Sequence, residues 1–168
     1  MALAYFITFS TYGNWLHGRA EGSVDRKHNA YDSPLLGADV GRERQAHGTM
    51  TQPKYVMSAP EQEIVCNAIV ELAQERGWEL LAVHVRTTHV HVVISAERDP
   101  GRLMSDLKAR ASRNLTLAGF DSADRKRWTR HGSTRHLFTD ENVENAIDYT
   151  LNQQGERMAH YLKEPRTE

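Results

Sequence analysis

WELLAVHVRTTHVHVVISA, residues 78–96, decides the fold. WELLAVHV (78–85) and HVHVVISA (89–96) are both rich in β-branched residues, and only the short RTT separates them. Two such runs joined by a tight connection predict an antiparallel hairpin. In the second run the side chains alternate, so His89 and His91 share one face while Val90, Val92 and Ile94 turn to the other, apolar one.

Outward from this hairpin, AYFITFST (4–11) is a first strand stopped by Gly13. Ser58 and Glu61 form a capping box, with Pro60 in the first turn. The helix that follows carries Ile64, Val65, Ala68, Ile69 and Leu72 on one stripe and ends at Gly77. Residues 99–119 form a second amphipathic helix, with Leu103, Leu107, Ala111 and Leu115 inward. A basic segment, DRKRWTRHGSTRHLF (124–138), holds at least one strand near Arg135–Phe138. TDENVENAIDYTLNQQGERM (139–158) is a last helix, opened by Thr139 or Asp140 and acidic in its first turn. The order β-α-β-β-α-β-α predicts an α+β fold, a ferredoxin-like (RRM-like) antiparallel sheet with helices packed on it. At 168 residues one domain is expected, 1–168, with a long irregular insertion at about 18–57.

Composition narrows the function classes. Net charge is −1, but nine Lys/Arg face three acids between Arg102 and His136, whereas three basic residues face seven acidic ones from Leu137 onward. Such a split suits a polyanion meeting one side of the molecule. One cysteine, Cys66, leaves no internal disulfide and no cysteine-rich zinc module. The N-terminus has neither the basic region nor the apolar run of a signal peptide, and no segment reaches membrane-spanning length. A cytoplasmic protein is expected.

Two imidazoles about 7 Å apart at their bases can converge on one cation. An isolated H-x-H in a strand is more often incidental, and His84 on the neighbouring strand is either a further donor or a surface histidine. Tyr149 and Gln153 lie four apart in the last helix, so they stack at the edge of the stripe formed by Val143, Ala146, Ile147 and Leu151. A phenol, with its pKa of about 10, is a poor nucleophile until a cation polarises its target. His89, His91 and Gln153 offer two nitrogens and an oxygen, leaving positions open as Mg²⁺ or Mn²⁺ sites do in catalysis. Lys108, Arg113, Arg127, Trp128 and Arg130 supply charge and stacking for a nucleic-acid backbone.

In this combination and order the chain resembles the single-tyrosine transposases of the HUH endonuclease superfamily, which include insertion-sequence transposases and repeat-associated (REP-associated) tyrosine transposases. The resemblance rests on AYFITFSTYGNWLHG, VRTTHVHVVIS, LMSDLKARASRNL, STRHLFT and NAIDYTLNQQG, and so covers most of the chain. It implies that His89 and His91 bind a divalent metal, with Gln153 as third ligand. It also implies that Tyr149 attacks single-stranded DNA and keeps a 5′-phosphotyrosyl link, leaving a free 3′-OH for later religation in transposition. Single-stranded or hairpin DNA is the implied partner, a homodimer or a monomer the implied assembly, and the nucleoid the implied location when DNA-bound. The sequence departs from many relatives at Thr88, where Asn precedes the first histidine in those relatives. It departs again at Asn152-Gln153-Gln154, where repeat-associated members often carry Asn-Pro. Two alternatives remain: a domesticated, non-catalytic DNA-hairpin-binding protein, and a structural zinc module indifferent to Tyr149. Histidine-triad nucleotide hydrolases also alternate histidines on a strand, but Val93 occupies their third position here.

Overall fold

The computed structural model describes residues 1–14 and 50–165. Most of the predicted 18–57 insertion therefore lies outside the described residues. Its last part does not behave as an insertion: Tyr55 and Met57 are buried in the core. Their backbone N–H groups donate to the carbonyls of Tyr12 and Thr87.

Strands β1 (Ala4–Thr11), β2 (Glu79–Val85), β3 (His89–Ser95), β4 (Trp128–Leu137) and β5 (Ala159–Leu162) alternate with helices α1 (Ala59–Arg76), α2 (Pro100–Leu117) and α3 (Asp140–Asn152). All neighbouring strands are antiparallel, in the order β4-β1-β3-β2-β5. The first four strands reproduce the expected ferredoxin-like arrangement, and β5 extends the sheet beside β2.

The helix ends follow the local chemistry. Ser58 and Glu61 make the reciprocal capping box, and Gly77 closes α1 with a left-handed φ of 67°. Asp99 accepts from the Arg102 N–H, and Thr139 accepts from the Asn142 N–H. At the far end of α2, the buried Arg127 donates to the carbonyls of Ser112, Phe120 and Ser122. A cation at a helix C-terminus is where the helix dipole favours it.

The two faces of the sheet are packed unequally. Helices α1 and α2 cover Ile7, Phe9, Val83, Val85, Val90, Val92 and Ile94, burying Val65, Ile69, Leu103, Leu107 and Leu115 among them. Helix α3 covers the other face through Ala146 and Leu151, set on Ala4, Ala82, Val93 and Leu137. The alternation read in 89–96 thus separates a core-facing valine row from a histidine row beneath α3.

Three boundaries differ from expectation. Strand β4 begins at Trp128, not near Arg135. Its sequence shows no alternation because it is an edge strand with polar residues on both sides, where charge guards against further pairing. The last helix stops at Asn152 instead of running to 158. Beyond it the chain turns at Gly155, whose φ is 81°, and returns as β5, four residues too short for a period to show.

Candidate active site

The register of the sheet sets a row of side chains across the α3 face. Thr8 and His84 both pair with His91, Ser10 pairs with His89, and His160 pairs with His84. His91 is 5% exposed. Its Nδ1 lies 2.9 Å from Thr8 Oγ1, and its Nε2 lies 3.2 Å from Gln154 Oε1. The His89 ring stands 5.0 Å from that of His91, nearly perpendicular, and its Nδ1 meets Thr88 Oγ1 at 3.2 Å. Hydroxyls on both Nδ1 atoms fix the ring orientations and leave the Nε2 edges toward the site, as outer partners of metal-binding histidines do.

Electrostatics keep the pair uncharged. Burial pulls the His91 imidazole down to about 3, and the neighbouring His89 adds to the effect. Desolvation also lowers His89, with Arg86 contributing. Neutral imidazole is the form that binds a metal.

Tyr149 arrives from α3. Its ring meets the His91 ring edge-on at 5.8 Å and the Phe6 ring edge-on at 5.8 Å, and the residue remains 42% exposed. Phe6 in turn stacks on His91. The structure therefore brings His89, His91 and Tyr149 together, all from one chain. It does not bring Gln153 to them. Gln153 is exposed, caps α3, and donates through Nε2 to Asp148 Oδ2 at 2.7 Å.

His84 is fully buried and fully engaged. Its Nε2 accepts from the Met158 N–H at 2.9 Å, which leaves Nδ1 to donate to the Thr150 carbonyl at 2.9 Å. It is thus neither a surface histidine nor a free donor for a metal, but a clamp joining β2 to the end of α3 and the start of β5. Among the described residues no group of three or more His, Cys, Asp or Glu could hold a metal ion. Two imidazoles and a side-chain amide are what the site offers, a set that fits a six-coordinate Mg²⁺ or Mn²⁺ with open positions better than closed tetrahedral zinc.

The five proposed DNA-contacting residues divide. Arg113 and Arg130 are exposed. Arg127 is 2% exposed and spent on the carbonyls already described. Lys108 donates to the carbonyls of Thr129 and His131, and its burial lowers its ammonium to about 8. Trp128 is half-buried, edge-on to Phe9, with Nε1 donating to Ser112 Oγ and the Lys108 carbonyl. These last three fasten β4 to α2. Sequence reasoning missed Thr8, Phe6 and Gln154. Alternation in β1 places Thr8 and Phe6 on one face, but only the β1–β3 register sets that face beside His91.

The family model described as "Transposase IS200 like" matches residues 49–149, more than half of the chain. The chain belongs to the IS200-like transposase family. The matched segment contains His89 and His91 and ends on Tyr149, so the glutamines lie beyond it. Among solved structures, this family member is similar to a REP-associated tyrosine transposase bound to a REP hairpin. Identity is 12% with a TM-score of 0.49, over 89% of this chain and 66% of that one. It is also similar to a transposase candidate from Deinococcus radiodurans R1, with 15% identity and a TM-score of 0.45, over 88% and 87% of the two chains. No curated protein matches it. No helix among the described residues is long and apolar enough to cross a membrane.

Proposed function

We propose that this member of the family is a DNA-cleaving and strand-transferring transposase with Tyr149 as nucleophile. The observation that carries the reading is the meeting of Tyr149, delivered by α3, with the neutral His89–His91 pair on β3, of which His91 is buried. Mg²⁺ or Mn²⁺ held by the two histidines and a glutamine amide oxygen would polarise the phosphate and stabilise its developing charge. Tyr149 Oη attacks phosphorus in single-stranded DNA, the P–O3′ bond breaks, and the departing O3′ takes up a proton to become a free hydroxyl. The phenolic proton leaves to solvent, which the exposure of Tyr149 permits. The 5′-phosphotyrosyl bond retains the phosphodiester energy, so attack by another 3′-OH re-forms the DNA and returns the phenol without an external energy source. Hairpin DNA is the proposed partner, with Arg113 and Arg130 as backbone contacts. A homodimer is the proposed assembly, with a monomer as the alternative.

Incubation with labelled hairpin DNA carrying single-stranded flanks, in Mg²⁺ or Mn²⁺, followed by denaturing electrophoresis, tests the proposal. A covalent adduct is expected that vanishes with chelator, in Tyr149→Phe and in His91→Ala, while His91→Ala keeps most of its hairpin affinity. Hairpin binding with no adduct in any flanking sequence would instead favour a domesticated DNA-binding protein. An adduct that survives Tyr149→Phe would remove the tyrosine from its role.

A further inference from the structure

Four residues on from Tyr149, helical spacing would stack Gln153 beneath the phenol and toward the histidines, had α3 continued. It does not continue. Gln153 adopts φ −113° and ψ 14°, the helix closes there, and its amide is drawn to the Asp148 carboxylate. That carboxylate also accepts from Asn152, and the two bonds hold it below its usual carboxylate range. The turn that follows carries Gln154 inward.

We propose that Gln154, not Gln153, supplies the amide oxygen of the metal site. The assignment rests on the metal-dependent reading above and concerns which side chain completes it. Gln154 Nε2 lies 3.5 Å from the Tyr149 carbonyl, an orientation that turns Oε1 toward His91 Nε2 at 3.2 Å. The His89 ring stands 5.0 Å from that of His91, so the same amide lies beside both imidazoles. Two adjacent ligands on an octahedral ion with bonds of about 2.1 Å stand about 3.0 Å apart. The His91–Gln154 separation is close to that edge, so an ion replacing the hydrogen bond between them needs only a small adjustment.

The turn is also fixed from several directions. Arg86 donates to the Glu156 carbonyl, Arg157 donates through Nε to the Leu151 carbonyl, and His84 accepts from the Met158 N–H. Gln154 is thereby presented by a braced loop, whereas Gln153 is on the solvent side of the same loop. Releasing Gln153 inward would break its bond to Asp148 and require the braced turn to unwind.

Mn²⁺ titration by calorimetry of the full chain, without DNA, tests the assignment independently of catalysis. Gln154→Ala should weaken Mn²⁺ binding by about tenfold or more, the scale of losing a ligand or its support. Gln154→Glu should restore it, and Gln153→Ala should leave it within about twofold. Thermal unfolding of each variant should match that of the parent, which separates a lost ligand from a lost fold. A larger loss from Gln153→Ala than from Gln154→Ala would overturn the assignment. So would a neutral Gln154→Ala in a protein whose Mn²⁺ binding is abolished by His91→Ala, and in that case the metal-dependent reading would stand. If the parent chain binds Mn²⁺ no better than His91→Ala does, the metal reading falls and the assignment falls with it.

Discussion

At the scale of single residues, charge alone is a poor guide to what an arginine does. Arg127 and Arg130 sit three apart in one basic run, yet one is buried against the end of α2 and the other is exposed. Arg127→Ala should lower unfolding free energy by roughly 2–4 kcal/mol, since three carbonyls lose a charged donor. Arg130→Ala should leave stability within about 0.5 kcal/mol while weakening hairpin binding and reducing its salt dependence by about one phosphate contact. Chemical denaturation and salt-dependent binding isotherms separate the two. Cys66 offers a second residue-scale test. Burial pushes its thiol up to about 12, from 9 for an exposed thiol. Above pH 9 the unfolded chain loses this proton while the folded chain keeps it, so the unfolded state binds fewer protons and stability falls as pH rises. Between pH 9 and 10, Cys66→Ala should therefore lose stability less steeply than the parent.

At the scale of elements, what a sequence reveals depends on how far the responsible contacts lie along the chain. The β2–β3 hairpin, the α1 capping box and the α2 stripe were legible because period and cap are local properties. That His89 and His91 share a face was legible for the same reason, whereas their meeting with Tyr149 depends on how α3 packs on the sheet. Gln154 was hidden because its position depends on where α3 stops, and that depends on Asp148, Gly155 and the distant His84. Strand β4 was half hidden, since its partners lie far back along the chain in β1, as Ala4 does from Leu137. Gly132 shows how tight that pairing is. A Cβ there would sit 2.5 Å from the Thr8 carbonyl oxygen and 2.6 Å from Met104 Sδ. Gly132→Ala should destabilise the protein by roughly 1–3 kcal/mol, as overpacking does. A change in denaturation midpoint below the measurement error would mean that β4 yields at this point.

At the scale of the whole molecule, the sheet divides labour between its faces. One carries α1 and α2 over a continuous apolar core, and the other carries the histidine row and the tyrosine helix. The α3 face gives up apolar area to Thr8, His84 and His91, so fewer hydrocarbon contacts hold its helix down. Of the apolar side chains on α3 only Ala146 and Leu151 are fully buried, against Leu103, Leu107, Ala111 and Leu115 on α2. A buried leucine is worth about 1.5–3 kcal/mol, so detaching α3 costs markedly less than detaching α2. Proteins open in units of unequal stability, and amide exchange reports each one. Amides of α3 should accordingly exchange through a partial opening that leaves α2 and β3 protected, and equal protection of α3 and α2 would contradict this. Tyr149, the proposed nucleophile, would then ride on a helix that lifts more easily than α2, starting after Thr139 and latched by His84 at its far end.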